Sequence, residues 1–477
     1  MTTPIGPTGQ PGPPPGDPDR GTVGWEPDAG LVPAEQDPSG VGREPRRAGL
    51  LSRRQVLTGA GALAGAGLLG AGLAFRPWAT SPAAGSGRPA GAVRSTSGVA
   101  VLVTLYGGND GLNTVVPAAD PAYQSGRPDL GYKPNEVLPL AEGLGLNPKM
   151  PLMKKRWDSH QLAIVRGVGY PDPSLSHFQS MDIWQTAEAS GAGSGWLGRW
   201  LDATGTDPMR AISVGATLPP ALRGDRQAAT AITSGTITLP GRAPMIAGFT
   251  ACAQPGPDRG PLAAAVSGSA ADLLRVRSSL ASLTGRTSTS GTAPAGTTPS
   301  GPGTSGTGAA ARATAAASGG ALADQLATVA ALINAGAPTR VYQVSLSSFD
   351  THADEKAGQE RLLAELDGAL DSFLNAVGTG PRAADVVVFT VSEFGRRVAQ
   401  NASGGTDHGT ASALLVAGHG VKGGFYGDQP SLTALDTSGN LRYSVDFRSV
   451  YATILAGVLG VDPTGVLGAK FPALGFV

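Results

Sequence analysis

Two patterns of apolar and polar positions alternate along this chain. Short, nearly continuous apolar runs rich in β-branched residues occupy 98–106 (GVAVLVTLY), 161–169 (QLAIVRGVG), 211–214, 340–346 (RVYQVSL), 386–391 and 413–417. Runs of this kind predict strands buried on both faces of a parallel sheet. Helical spacing marks 178–186, 321–334 (ended by Gly336 and Pro338), 355–376 and 448–459. Within 355–376, Leu362, Leu363, Leu366, Leu370 and Phe373 form one stripe, and Trp196 and Trp200, four apart, predict another buried helix face. Strands alternating with helices predict an α/β fold built on a doubly wound, mostly parallel sheet.

The remaining stretches divide the chain. Residues 1–50 carry eleven prolines and no apolar periodicity, so they cannot bury enough surface to offset ordering entropy and are expected to be a disordered leader. Ser52-Arg53-Arg54-Gln55-Val56-Leu57 precedes a weakly hydrophobic, Gly-rich run to Phe75. Paired arginines in that position predict a twin-arginine signal segment over 51–83, with the twin-arginine translocase as partner. The expected address is extracellular or the cell envelope. An ordinary membrane helix is the competing reading, and an uncleaved signal would leave an anchor. Patterning weakens over 191–283, which predicts a small cap subdomain over the sheet edge. Residues 284–320 are almost entirely Gly, Ser, Thr, Ala and Pro, and predict a low-complexity surface insertion.

Charge and cysteine narrow the chemistry. Basic and acidic side chains number 36 each, which gives no argument for a nucleic-acid partner. Cys252 is the only cysteine, so an intramolecular disulfide and a thiolate metal cluster are both excluded. It is expected to be a small filler residue.

Polar groups recur where the predicted strands end, the edge at which ligands bind in open α/β sheets. Asp110 follows the first strand in Gly107-Gly108-Asn109-Asp110, Ser174 and His177 follow the second, and Asp350 and His352 follow the strand at 340–346. Glu393, Arg396, Asp407 and His408 follow the strand at 386–391. Carboxylates beside imidazoles suit a divalent metal: zinc, manganese, magnesium or calcium. Each residue also has a plainer role: Asp110 as a turn residue or helix cap, Ser174 or Ser176 as an N-cap, Asp407 as a turn residue. Four such strand ends together favour one polar site.

Longer motifs carry a resemblance. GGNDGLNTVVP, LAIVRGVGYPDPSLSHFQSMDIW, GWLGRWLD, FDTHAD, SEFGRRVAQNASGGTDHGTA and VKGGFYGD resemble the exported bacterial family called domain of unknown function 1501, from about residue 99 to 477. That family resembles the alkaline phosphatase and sulfatase superfamily, which implies metal ligands at the strand ends of a doubly wound sheet. Carried over, the resemblance makes Asp110 the first metal-binding aspartate and Ser174, ahead of His177, the nucleophile. Asp350 and His352 become an Asp–His pair of one metal, and Thr406-Asp407-His408-Gly409 resembles a metal-binding motif of phosphoglycerate mutases. Glu393 competes with Asp407 for the last-strand carboxylate. Relatives often carry a further histidine where this chain has Gly358-Gln359-Glu360. His160 and His419 are expected to have no role.

Two functions follow. One is a metal-dependent hydrolase of phosphate or sulfate esters, with a small anionic ester as substrate and Arg396 or Arg166 as its bidentate clamp. The other is a non-catalytic exported scaffold or binding protein of the cell envelope, acting beside a co-exported envelope protein. The signal reading is tested by changing Arg53 and Arg54 together to Lys. The variant should accumulate in the cytoplasm, as fractionation would show; unchanged delivery would indicate a general secretory signal or an anchor.

Overall fold

The computed structural model describes residues 98–215, 217–233, 243–254, 260–288 and 320–477. The apolar runs fold as strands because an extended segment with no polar face can only be satisfied between two covering layers. In chain order the strands are β1 (Val99–Leu105), β2 (Val115–Val116), β3 (Leu138–Pro139), β4 (Gly145–Leu146), β5 (Leu162–Gly169) and β6 (Ala211–Val214). They continue with β7 (Thr230–Ile232), β8 (Val341–Leu346), β9 (Val386–Val391), β10 (Ser412–Ala417), β11 (Gly424–Tyr426) and β12 (Val445–Asp446).

The main sheet runs β11-β5-β10-β9-β1-β8-β6-β7, with β12 alongside β5, while β2, β4 and β3 make a small separate sheet. Every pairing in the main sheet is parallel except those of β10, which is antiparallel to both β9 and β5. Side-chain alternation sends Val101 and Val103 to one face, against Leu363, Leu366 and Phe373 of the Glu355–Gly378 helix and Leu326 of the Gly320–Asn334 helix. Ala100 and Leu102 point to the other face, into a core holding Trp184, Trp196, Trp200, Phe447 and Tyr451. There the aromatic rings stack, with Trp196 and Tyr451 centroids 4.0 Å apart and Trp184 and Phe447 centroids 4.3 Å apart. Helices thus cover both faces, as a doubly wound α/β fold requires.

Three expectations change. The described residues of 191–283 join the main fold where a cap over the edge was expected: Trp196–Thr204 packs into the second core, and β6 and β7 extend the main sheet beyond β8. Its weak patterning reflects short strands, too brief to show a period. Residues 284–288, expected in the insertion, continue the Pro261–Ser288 helix. Cys252, expected as filler, is exposed. The leader, the signal segment and 289–319 lie outside the described residues. Among the described residues no helix is long and apolar enough to cross a membrane.

One tertiary contact ties two helices together. Asp367, on the Glu355–Gly378 helix, accepts hydrogen bonds from Leu152 N at 3.0 Å and Met153 N at 2.7 Å, the orphan donors opening the Pro151–Asp158 helix. The residue preceding that helix, Met150, offers no side-chain cap, so the cap comes from a distant carboxylate. Asp367→Ala should therefore lower stability by about 1–2 kcal/mol, and Asp367→Asn by less, in urea unfolding.

Candidate metal centre

The carboxyl ends of β5, β8 and β9 deliver His177, Asp350 with His352, and Glu393 to one edge of the sheet. The antiparallel strand adds the rest. Because β10 runs against its neighbours, it starts at the edge where β9 ends, so the connection between them stays on that edge. Within it Arg396 pairs with His408 as an antiparallel bridge, closed by Gly395 N to Thr410 O at 2.8 Å and Gly409 N to Gly395 O at 2.9 Å. Gly409 permits this approach: a Cβ there would lie 2.5 Å from the carbonyl carbon of Arg396.

Three imidazoles turn their Nε2 atoms toward the Asp350 carboxylate. His352 Nε2 lies 3.0 Å and His408 Nε2 3.3 Å from Asp350 Oδ1, and His177 Nε2 lies 3.3 Å from Oδ2. Their Nδ1 atoms face outward to acceptors. His177 Nδ1 is 2.9 Å from Glu393 Oε1, His408 Nδ1 is 2.8 Å from Leu175 O, and His352 Nδ1 is 3.7 Å from Asp407 Oδ1. A neutral imidazole that donates through Nδ1 presents a bare lone pair at Nε2. The Nε2 atoms of His352 and His408 lie 2.9 Å apart, close enough for one to donate to the other. The Nε2 of His177 is buried and has no hydrogen-bond partner among the described residues. His408 Nε2 is within hydrogen-bond distance of Asp350 Oδ1, and His177, Asp350 and His408 have ligand atoms all within 4.8 Å of one another, close enough to share a cation. The Glu393 and Leu175 oxygens supply the outer acceptors that orient metal-binding imidazoles.

Protonation follows the same geometry. The hydrogen bond that His177 donates to Glu393 raises the pKa of His177, whereas burial lowers that of His408. Burial works against ionising Asp350, but the Arg396 hydrogen bond and charge outweigh it and hold this carboxyl below its ordinary range.

Arg396 serves the site from beneath. Its side chain is buried and donates to the carbonyls of Gly108 (2.8 Å), Thr406 (2.9 Å), Phe349 (2.9 Å) and Gly107, as well as to Asp350 Oδ1 (2.8 Å). A guanidinium committed in this way holds Asp350 and does not clamp a substrate. Arg166 is also committed, to Glu142 and the Gly427 carbonyl.

Asp110 does not join the imidazoles. It is fully buried, caps the Gly111–Thr114 helix through Leu112 N at 3.2 Å, and is paired with Arg127 through both oxygens. Burial opposes its charge, but Arg127 outweighs burial and keeps the carboxyl ionised. Arg127 also donates to the carbonyls of Arg397 (2.8 Å) and Val398 (2.9 Å), so a guanidinium stands against the aspartate that the resemblance gave to a metal. Ser174 is likewise apart: its hydroxyl donates to Gln179 Oε1 at 3.0 Å and accepts from Ser176 N at 3.2 Å, shaping the start of the His177–Thr186 helix. Asp407 lies at the exposed rim, where Asn401 Nδ2 donates to it at 3.3 Å. His419 Nδ1 sits 3.4 Å from Gln161 Nε2, away from the cluster.

Sequence reading missed Arg127 and Glu355. Glu355 opens the helix after β8, is buried, and accepts from Thr406 Oγ1 at 2.6 Å. Gln359, one turn on, donates to Asn109 Oδ1 at 2.9 Å. A glutamate in the first turn of a helix looks like a surface residue, so nothing local distinguished it.

Burial, and then the charge of Asp110, push the Glu355 carboxyl up to about 9 from 4.5. The folded protein therefore holds this proton at neutral pH, while the unfolded chain releases it. Stability from this group is full below about pH 4.5 and is lost as pH rises toward about 9. Glu355→Gln keeps a donor for Asp110 and removes the titration. Its melting temperature should gain on the wild type steadily between those two pH values, and a constant difference would contradict the assignment.

The pattern of the family described as "Protein of unknown function (DUF1501)" matches residues 157–470. No curated protein matches the chain. Among solved structures, a 2-O GAG sulfatase aligns at 10% identity with a TM-score of 0.26, over 69% of this chain and 65% of the sulfatase. The chain thus spans about 65% of that sulfatase's length. Since the family match extends over well more than half of the sequence, the chain is a member of the DUF1501 family.

Proposed function

We propose that the chain is an exported, metal-dependent hydrolase of phosphate or sulfate esters, with one divalent cation held by His177, Asp350 and His408. The observation that carries this reading is the convergence of imidazole Nε2 atoms on Asp350, with the buried Nε2 of His177 having no hydrogen-bond partner among the described residues. His352 is placed to complete the set, and Asp407 stands at its rim. A donor set dominated by imidazole nitrogen suits zinc better than manganese, magnesium or calcium, which prefer oxygen.

A bound divalent ion supplies Lewis acidity toward a phosphate or sulfate oxygen. The chain's own residues do the remainder. Arg396 fixes Asp350, Glu393 fixes the ring of His177, and the Leu175 carbonyl fixes His408. Leu175 follows Ser174 directly, which keeps that hydroxyl close in sequence to the site as a candidate nucleophile. With Asp110 paired to Arg127 and Gln359 in place of a further histidine, the reading is of a single cation. Those same two features favour the second reading, a non-catalytic scaffold or binding protein of the cell envelope that works beside a co-exported partner. Export itself rests on Arg53 and Arg54, with the twin-arginine translocase as the partner that reads them.

Elemental analysis of purified protein separates the readings. The wild type should carry close to one equivalent of a divalent metal, zinc first, and chelation should lower its melting temperature, because a cation bound to the folded state stabilises by mass action. His408→Ala and Asp350→Asn should lose metal and the chelator response together. Protein that carries no metal and ignores chelator and added zinc or manganese would leave the scaffold reading. Ser174→Ala should keep the metal; loss of turnover would make Ser174 the nucleophile, and retained turnover would assign the attack to water.

A further inference from the structure

One face of the sheet changes character as it approaches the site. Pairing and alternation place Ala100, Leu102 and Thr104 of β1 beside Val341, Gln343 and Ser345 of β8, with Tyr106 just beyond the tip of β1, and place Val341 and Gln343 beside Ala211 and Ser213 of β6. At the far end this face is apolar, through Leu102, Val341 and Ala211. Toward the carboxyl edge, where a buried face would ordinarily stay apolar, it carries hydroxyls and an amide.

These groups line a cavity of about 100 Å³ that includes Tyr106, Ser213, Gln343 and Ser345 and has no charged side chain in its wall. Gln343 is 2% exposed. Its Nε2 donates to Thr104 Oγ1 at 3.2 Å, while its Oε1 is buried with no partner among the described residues. No side-chain hydrogen bond engages the hydroxyls of Tyr106, Ser213 or Ser345 among the described residues. An unmatched amide oxygen inside a sheet is unfavourable for folding, and a leucine of similar size would remove the penalty. A chain link joins the cavity wall to the metal centre: Gly107, next to Tyr106, donates its N–H at 2.8 Å to Glu393 Oε1, the oxygen that His177 Nδ1 also meets. Burial, and then the charge of Glu393, raise the Tyr106 phenol, so it remains a donor at neutral pH.

We propose that this cavity is a subsite for the neutral, hydroxyl-bearing part of the substrate, a polyol or the hydroxyl edge of a sugar ring. The inference rests on the hydrolase reading and specifies its substrate class: the ester group faces the imidazoles while the alcohol portion enters the cavity. Three hydroxyls and one free acceptor match a group that both donates and accepts. The volume, about three times the ~30 Å³ that a water molecule takes up in the liquid, admits two or three hydroxyl-bearing carbons. Without a charged wall, the cavity gives a carboxylate or ammonium no counter-charge.

Glycerol and glucose are the probes, observed by saturation-transfer NMR on the full chain. Wild-type protein should bind both. Ser213→Val, which fills the cavity, and Tyr106→Phe, which removes one donor and conserves shape, should each weaken binding, Ser213→Val by tenfold or more. Chelator and His408→Ala should leave binding in place. Absence of binding to the wild type, or equal binding by folded variants, overturns the subsite. Binding that tracks these variants in a protein that carries no metal and cleaves no ester supports the subsite and removes the hydrolase reading.

Discussion

A single buried guanidinium organises the site. Arg396 draws together the Gly107–Gly108 turn after β1, Phe349 and Asp350 after β8, and Thr406 on the way to β10. Backbone carbonyls at strand ends are acceptors that the sheet no longer satisfies, and burying them unpaired is unfavourable. One planar, permanently charged fork meets several of them at once, which a lysine ammonium cannot reproduce in that geometry. The positive charge left over is answered by Asp350, so the group that joins the loops also sets the orientation of the carboxylate on which the imidazoles converge.

Two clusters of charge lie side by side at this edge and are resolved differently. Asp110 is closed off from solvent and neutralised from within, by Arg127, with Glu355 holding a proton beside it. Asp350 is half-exposed and has the permanently charged Arg396 and three imidazole nitrogens around its oxygens. In the first cluster the aspartate's charge is answered from within, although Glu355 Oε1 and Gln359 Oε1 have no partner among the described residues. The second presents ring nitrogens at a half-exposed carboxylate, and that difference in how the charge is answered, more than proximity to a strand end, separates a supporting carboxylate from a candidate ligand.

The sheet itself explains why the site sits where it does. Strands β1, β5, β8 and β9 all point their carboxyl ends to one edge, and β10 reverses direction so that its preceding loop returns to that edge. A parallel β10 would need a crossover, and Asp407 and His408 would then open a strand at the opposite end. The antiparallel pairing therefore supplies His408, while the neighbouring face of β6 and β8 supplies the polar cavity.

The chain's own pattern determined most of the architecture. Residues 386–391 form a strand with those bounds, and the leucine stripe from Leu362 to Phe373 packs as one buried helix face, because buried apolar runs and 3.6-residue spacing are local properties. The grouping of Asp350, His352, His177 and His408 was legible too, since each follows a strand and strand ends share an edge. The fate of Asp110, Ser174 and Arg396 was not, because an isolated aspartate, serine or arginine has the same sequence signature whether it binds a ligand, starts a helix or holds a loop. Arg127 meets Asp110 only after two short helices and a strand bring it back, and Glu355 reaches Thr406 only through packing of distant segments. Which polar groups are satisfied internally, and which are left open, is decided by three-dimensional partners, and only the tertiary structure specifies those.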